Sequence, residues 1–325
     1  MNVNNVWQRC LLFTDTAKAY LENPDDYVRT FDVTINGKLR HLITYMPTEK
    51  GRSLRILHTN FAQFLQTKYR HASSSYAYAK KKNIMDCVHR HLHGEVFLKT
   101  DIRSYFDSIS CEGMMKRIGK LKIPKVDMDA VSLITRACFY RDKLPLGFTS
   151  SPTLSDLFLV SLDRKYQKNT AITYTRYADD FIVSASGERA KTALTEFRVQ
   201  LEKDLDQLDL ELNRKKTYIR QLKQPGDAIH VLGVNIVRTE TDQNRITISD
   251  RYIRETCREI CKWLTQSLPD DQRQSAFAEI YGKLAFIQNC SDSSFSKLKK
   301  MVKIKCGYEG PFSRTALKKA GMAVD

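Results

Sequence analysis

Residues 172–185 read ITYTRYADDFIVSA, and this stretch decides most of what the sequence predicts. Its β-branched and aromatic side chains favour strands on both sides of the adjacent acids Asp179 and Asp180. We therefore expect two strands that meet at an acidic turn. Adjacent carboxylates repel each other, and a bound cation is the simplest reason for a basic protein to keep them together. The plainer alternative is a solvated turn.

A third carboxylate follows a short apolar strand much earlier in the chain. Residues 95–101 predict this strand, and Asp101 stands at its end. If the two strand regions lie side by side in one sheet, Asp101, Asp179 and Asp180 converge on a pair of Mg²⁺ ions. Two such ions about 4 Å apart can activate a 3′-hydroxyl and stabilise the leaving pyrophosphate during nucleotidyl transfer.

The charge balance indicates a polyanionic partner. The 325 residues contain 53 Lys plus Arg against 37 Asp plus Glu, a net charge of +16. With 42% hydrophobic residues the chain can form packed cores, which excludes wholesale disorder. No apolar run of about 18 residues and no secretory leader is visible, and the cysteines are scattered as in reduced proteins. We expect a cytoplasmic protein without a membrane partner.

Hydrophobic periodicity predicts the elements around the acids. Residues 29–46 alternate around Asn36-Gly37, which indicates a hairpin. Helices are predicted at 54–68, from Ser110, and at 127–140, 152–166, 189–208, 250 onward and 275–289. Short strands are predicted at 211–212, 217–220, 230–238 and 245–249.

Three other clusters carry chemistry that the acids do not explain. The residue types of Cys87, His89, His91 and His93 suit zinc. Alternate side chains of a strand form a line rather than a tetrahedron, so we expect no metal there. Cys257 and Cys261 share a helix face and are expected to be packing thiols. The run from Tyr76 to Lys82 suits phosphates and bases together, or forms a solvated lysine face.

The acidic stretch resembles the catalytic box of reverse transcriptases, and closely that of bacterial retron-type enzymes. The box is YADD at residues 177–180. Other boxes follow in the family's order. Residues 97–106 (FLKTDIRSYF) are similar to the first palm motif, 144–152 (LPLGFTSSP) to the glycine-containing motif, 212–217 (LNRKKT) to the lysine-bearing motif and 230–234 (HVLGV) to the primer-grip hairpin. The resemblance extends from about residue 29 to the C-terminus.

The resemblance implies an α+β, right-hand polymerase fold, with fingers, an antiparallel palm sheet and a helical thumb. On this basis we assign residues 1–100 to the N-terminal region and fingers, and residues 101–249 to the palm. A helical fingers insertion occupies 111–146 within that range, and residues 250–325 form the thumb.

The resemblance also implies roles for the residues that match these motifs. Asp101, Asp179 and Asp180 would be the catalytic ligands of two Mg²⁺ ions. Phe106 would be a steric gate against a ribose 2′-hydroxyl, with a plain core aromatic as the alternative. Gly147 would let the backbone approach the nucleotide.

Further roles concern the phosphates of the substrate and of the nucleic acid. Lys216 or Lys215 would neutralise or protonate the leaving pyrophosphate. Arginines near the hairpin would hold the triphosphate, and the candidates are Arg40, Arg52 and Arg55. Lysines along a C-terminal helix supply sequence-independent phosphate contacts. Nucleic-acid contacts are therefore expected from Tyr177, Gly233, Lys297, Lys299 and Lys300.

The implied function is RNA-directed DNA synthesis from dNTPs on a structured, cognate non-coding RNA, with an RNA/DNA hybrid as product. The setting would be a retron or a related antiphage defence system, in which an effector or toxin protein is a further candidate partner. One departure is Leu146, which stands where the family usually has glutamine. Two alternatives remain open: a catalytically silent RNA-binding scaffold, and template-independent or protein-primed synthesis, for which Leu146 is a hint.

Overall fold

A computed structural model describes residues 3–35, 37–124, 126–266 and 269–322 of the chain. Its contacts divide the chain into two compact units. The first comprises Met1–His91 with Glu95–Ile219, and the second comprises Leu92–Gly94 with Arg220–Asp325. Among the described residues, no helix is both long and apolar enough to cross a lipid bilayer. The three-part assignment to fingers, palm and thumb ranges stays a prediction.

In the first unit, helices pack around a central β-sheet. Its helices are α1 (Val3–Leu11), α2 (Thr14–Glu22), α3 (Glu49–Lys68), α4 (Ile84–His89), α5 (Tyr105–Ser108), α6 (Cys111–Gly119), α7 (Met128–Ala137), α8 (Ser151–Tyr166) and α9 (Ala190–Asp206). Its strands are β1 (Val28–Ile35), β2 (Lys38–Tyr45), β3 (Val96–Asp101), β4 (Thr173–Tyr177), β5 (Asp180–Ala185) and, at the unit boundary, β6 (Tyr218–Gln221). Short 3₁₀ turns occupy Pro24–Asp26 and Arg214–Lys216.

The sheet that carries the acids has the strand order β4-β5-β3-β6. Strand β5 pairs antiparallel with both β3 and β4. Helix α9 packs against β3 and β5, and α8 packs against β4. Residues 181–183 are fully buried, because β5 is central and covered. The predicted pair of strands around the acidic turn is therefore confirmed.

Side-chain caps explain where several helices begin. Ser110 Oγ accepts a hydrogen bond from the Gly113 N–H at 3.1 Å, so α6 starts where the sequence indicated. Helix α3 starts at Glu49, earlier than the predicted residue 54. Thr48 caps it by accepting from the Gly51 N–H at 3.3 Å, a signal that the apolar periodicity alone does not contain.

The predicted hairpin over residues 29–46 is confirmed as β1 and β2. They pair antiparallel in a continuous register from Val28–Tyr45 onward. Of the two residues predicted at its turn, Gly37 has a φ of 73°, and Asn36 lies outside the described residues. The hairpin stands apart from the acid-bearing sheet, but the Ile43 N–H donates to the carbonyl of Leu146 at 3.1 Å.

The second unit combines a small antiparallel sheet with helices. Its elements are β7 (Ala228–Val231), β8 (Val234–Arg238), β9 (Asn244–Thr247), α10 (Asp250–Thr265), α11 (Asp270–Cys290), α12 (Asp292–Cys306) and α13 (Arg314–Met322). The stretch predicted as one strand at 230–238 contains a tight hairpin, because Leu232 and Gly233 both take positive φ. The strand predicted at 211–212 is reduced to a single bridge between Ile102 and Leu212.

Two buried histidines give the first unit a pH-dependent stability. Burial lowers the pKa of His58 and of His91 to about 3, so both are neutral in the folded chain. In the unfolded chain each imidazole binds a proton below a pKa near 6.5. Each histidine therefore lowers the free energy of unfolding by about 1.4 kcal/mol for every unit by which the pH is lowered. This loss develops as the pH drops from about 6.5 toward about 3.

We expect His58→Gln to remove half of the pH dependence that the two histidines give to the free energy of unfolding. The measurement is urea denaturation at pH 6 and pH 5, for wild type and variant. Other titrating groups cancel in the difference between the two slopes, which should be about 1.4 kcal/mol per pH unit. Equal slopes would show that His58 is protonated in the folded state.

Candidate active site

The sheet register brings the predicted acids together. Asp101, the last residue of β3, lies directly opposite Asp180, the first residue of β5. The Ile102 N–H donates to the carbonyl of Asp179 at 3.2 Å, which extends the contact between the two chain segments past the strand ends. Asp101 therefore meets the adjacent pair Asp179 and Asp180, which is distant in sequence, at one end of the sheet.

The turn between β4 and β5 is strained. Tyr177 pairs with Asp180, so the turn itself consists of Ala178 and Asp179. Ala178 has a φ of 56°, at a position where two-residue turns usually have glycine. Left-handed backbone costs an alanine about 1 to 2 kcal/mol, and such strain tends to concentrate at functional sites.

Asp101 is buried, whereas Asp179 and Asp180 are half-buried and electrostatically coupled to each other. Burial and then the charge of Asp179 raise the pKa of Asp180 to about 6. Asp101 is 3% exposed, and its Oδ2 accepts a hydrogen bond from the Lys216 ammonium. Its Oδ1 is buried and has no hydrogen-bond partner. Hard cations prefer carboxylate oxygens as ligands. A bound cation would therefore satisfy Oδ1, which has no hydrogen-bond donor beside it.

The acidic side chains do not form a complete metal-binding site among the described residues. Within the described ranges, no group of three or more His, Cys, Asp or Glu side chains is arranged to hold an ion. Lys216 is the cationic partner that the structure shows for Asp101. The backbone register thus supports the predicted convergence, and the metal ligation itself stays a prediction.

An open cleft of about 960 Å³ adjoins the acids. Its wall includes Asp101 and Asp179 together with four of the other residues considered above: Arg40, Phe106, Leu146 and Lys216. Phe106 is half-buried and packs against the core, so it contacts both the core and the cleft. Arg55 lies exposed on α3, and the structure does not bring it to this wall.

Gly147 lies close to the backbone of β2. Its φ is +117°, and a Cβ built there would lie 2.3 Å from the carbonyl oxygen of Ile43. The glycine therefore allows β2 to approach the loop before α8. This close contact with the protein's own backbone requires a glycine, and the predicted approach of a nucleotide to Gly147 stays a prediction.

The basic and aromatic run from Tyr76 to Lys82 has a mixed role. Its first part continues the sheet: Ser75 bridges in parallel to Arg176, and the Tyr76 N–H donates to the Arg176 carbonyl at 2.9 Å. Lys82 turns inward, and its ammonium donates to the carbonyls of Ser73 and Ser75 at 2.6 and 2.7 Å. Lys80 is exposed, so the run is neither a plain lysine face nor wholly a phosphate site.

We expect Lys82→Met to destabilise the first unit by about 2 to 3 kcal/mol, because it leaves carbonyls without their charged donor. Lys80→Met keeps the same change of residue type on an exposed side chain and should cost less than about 0.5 kcal/mol. Urea denaturation of both variants measures the difference. Equal stabilities would contradict the inward role of Lys82.

The prediction of a strand across the cluster from Cys87 to His93 is wrong. Asn83 and Asp86 form a reciprocal capping box that starts helix α4, so Cys87 lies on a helix. Cys87 and His91 point inward and both hydrogen-bond to the Thr175 hydroxyl, the His91 Nε2 contact being 2.7 Å. His89 and His93 are exposed.

The second unit holds the remaining nucleic-acid candidates. Gly233 has a φ of +87°, and a Cβ there would lie 3.7 Å from the Phe286 ring. On α12, Lys297 pairs with Asp250 at 2.6 Å, and the Lys299 ammonium lies 4.9 Å from the centre of the Phe295 ring. Cys257 is buried and Cys261 half-buried on α10, in agreement with packing thiols.

The family model for reverse transcriptase (RNA-dependent DNA polymerase) matches residues 33–236. The chain belongs to the reverse transcriptase family. The matched range contains the three acids, most of the cleft wall and the stretch at residues 230–234. This reverse transcriptase is therefore an RNA-directed DNA polymerase, and the enzyme class expected from the sequence is confirmed.

The curated relatives to which this chain is similar include retron reverse transcriptases. The chain is 24% identical to the retron Ec86 reverse transcriptase of Escherichia coli over 258 residues, which cover 76% of this chain and 77% of that one. It is 29% identical to the retron Ec73 reverse transcriptase of Escherichia coli over 178 residues, which cover 50% and 55%.

Solved structures agree with the fold. Telomerase of Candida albicans, in complex with a telomeric RNA fragment, has a TM-score of 0.51 at 10% identity and covers 91% of this chain. Apo telomerase of Candida tropicalis has a TM-score of 0.55 at 10% identity and covers 87%. The chain spans 64% and 58% of these proteins. At such identity they support the polymerase fold alone, which confirms the expected fold class.

The sequence analysis missed Arg176, whereas Tyr78 belongs to the predicted basic and aromatic run. Arg176 is fully buried directly before the catalytic box, although an arginine in a strand is normally at the surface. Asp156 and Asp163, in the apolar stretch of α8, were the available signal, since buried acids need a cation. Tyr78 takes a φ of 60° and lies within electrostatic reach of Asp179.

Proposed function

We propose that this reverse transcriptase copies a structured, cognate RNA into DNA by two-metal nucleotidyl transfer, with Asp101, Asp179 and Asp180 as the metal ligands. The observation that carries the proposal is the register that sets Asp101 opposite Asp180. The unsatisfied Oδ1 of Asp101 supports a cation there. Two Mg²⁺ ions bound by these acids would activate the primer hydroxyl and neutralise the leaving pyrophosphate.

Residues of the cleft wall take the remaining roles in this proposal. Lys216 already holds its ammonium against Asp101, so it is placed to neutralise a triphosphate beside that acid. Arg40, on β2, can contact the same phosphates from the hairpin side of the cleft. Phe106 is firmly seated against the core, as a steric gate must be to exclude a ribose 2′-hydroxyl.

Binding of the RNA is proposed for the second unit and for Tyr177, the last residue of β4. The α12 lysines are spaced along a helix, and such contacts bind phosphates regardless of sequence. Lys300 is exposed, whereas Lys297 and Lys299 are engaged with neighbouring side chains that a phosphate would have to displace. Gly233 lies in a hairpin turn, where the backbone is open to close approach.

The biological part of the proposal is action in the cytoplasm, in a retron or related antiphage defence system, with an effector or toxin as a further partner. The similarity to retron reverse transcriptases supports this setting. The proposal requires that the template be an RNA that the protein retains through purification.

The test is to incubate the purified protein, with its co-purifying RNA, with labelled dNTPs and Mg²⁺. DNA that is complementary to that RNA is the expected product, and RNase treatment before the reaction should abolish it. Product that is insensitive to RNase would instead indicate template-independent or protein-primed synthesis. RNA binding without any product would indicate a silent scaffold.

A further inference from the structure

A buried ionic network lies directly behind the acidic turn. Arg176 of β4 is 0% exposed, and its guanidinium donates to Asp163 and Asp156 of α8. The contacts are 2.9 Å from Nε to Asp163 Oδ1 and 2.9 Å from Nη2 to Asp156 Oδ1. The two acids are seven residues apart, which places them two helical turns apart on one side of α8. The arginine is thus anchored by a helix that packs on its own strand.

The remaining nitrogen of the same guanidinium, Nη1, contacts the turn. It donates to the carbonyl of Ala178 at 2.9 Å. Ala178 is the residue with left-handed backbone, and its carbonyl belongs to the peptide that leads into Asp179. The arginine therefore fixes the orientation of that peptide, and with it the direction in which the chain enters the acid pair.

We propose that Arg176 is a positioning residue, which acts through the Ala178 carbonyl to hold Asp179 and Asp180 facing Asp101. This inference rests on the proposed role of these acids as metal ligands. The guanidinium is suited to the task because it is planar and rigid. Nε and Nη2 are used for the helix, and Nη1 remains for the turn.

A purely structural role would need only the charge. Two buried carboxylates require a nearby cation, and the ammonium of a lysine supplies one. Lysine has a single nitrogen on a flexible stem, so it cannot bind both acids of α8 and the Ala178 carbonyl in the same geometry. Arg176→Lys therefore separates neutralisation of the acids from control of the turn.

The experiment measures Mn²⁺ binding to the purified full chain by electron paramagnetic resonance, with the fraction of folded protein checked by circular dichroism. Binding at the acidic cluster is defined as the part lost in Asp101→Asn. We expect Arg176→Lys to weaken this binding about tenfold, since the left-handed turn loses the contact that stabilises it. The matched control is Tyr174→Phe, which removes a 2.7 Å hydrogen bond to Asp163 from the same strand but makes no contact with the turn. It should leave Mn²⁺ affinity unchanged.

A rescue variant tests the mechanism directly. Glycine adopts positive φ without penalty, so Ala178→Gly in the Arg176→Lys background should restore most of the lost affinity. No rescue, or an equal loss in Tyr174→Phe, would overturn the positioning role. If Arg176→Lys does not fold, Asp163→Asn loosens the same guanidinium from the helix side, with the same rescue expected. Absence of Asp101-dependent binding in wild type would refute the metal site itself, whereas normal binding in Arg176→Lys refutes only the role of Arg176.

Discussion

Asp179→Asn is expected to abolish DNA synthesis while the protein stays folded and keeps its RNA. The amide is nearly the same size as the carboxylate, so the turn between β4 and β5 can be preserved. It lacks the charge that holds a divalent cation, and metal ions contribute several kcal/mol to this chemistry. A loss of about 10³-fold or more in the rate of dNTP incorporation follows.

The folded state should not suffer from this change. The charge of Asp179 is one cause of the raised pKa of Asp180, so the amide relieves a repulsion. We expect a free energy of unfolding equal to or slightly above that of wild type, and unchanged RNA retention, because binding of phosphates depends on basic surfaces.

The measurement is a single-turnover incorporation assay, together with urea denaturation and quantification of the co-purifying RNA. The matched control is Glu188→Gln, which neutralises an exposed carboxylate in the loop after β5, at the opposite end of that strand. It should retain wild-type synthesis. Synthesis within a few-fold of wild type in Asp179→Asn would exclude this acid as a metal ligand, whereas loss of both RNA and synthesis would mark a folding defect.

Gly147→Ala is expected to lower the free energy of unfolding by about 3 to 5 kcal/mol, as strain and overpacking combine. The new Cβ would lie 2.3 Å from the Ile43 carbonyl oxygen, which belongs to backbone and cannot rotate away. The φ of +117° is in addition a conformation that side-chain-bearing residues rarely adopt. Relief requires β2 to move away from the loop that contains Leu146.

This movement should also affect the cleft. Arg40 and Leu146 both line it, and the Ile43–Leu146 hydrogen bond holds β2 to the loop. We expect a higher KM for dNTPs in the fraction of Gly147→Ala that folds. The matched control is Gly187→Ala, where φ is +86° and nothing lies within 4 Å of the added Cβ.

The control carries the backbone strain without the clash, so it should cost only about 1 to 2 kcal/mol. Urea denaturation of the two variants and steady-state kinetics on the same preparations measure both effects. Equal destabilisation in Gly147→Ala and Gly187→Ala would show that the approach of Ile43 does not determine the need for glycine.

Most of the elements near the site could be predicted from the sequence, because their signals are local. The alternation around the acids defines β4 and β5, and Ser110 marks the start of α6 within one residue. Cys87 was misassigned to a strand, because alternating His and Cys residues suggested period two, whereas the capping box of Asn83 and Asp86 decides for a helix. A short run has too few residues for periodicity to outweigh such a capping interaction.

The sequence by itself determined the acidic turn, the strand that ends at Asp101 and the motif order that identifies a reverse transcriptase. These follow from neighbouring residues, whose preferences act over a few bonds. Only the tertiary structure decided that Gly147 serves the approach of Ile43, that Lys82 binds carbonyls, and that Arg176 joins α8 to the turn. The partners of these residues are distant in the chain, and a charge or a missing side chain does not specify its partner until packing excludes water and brings the two together.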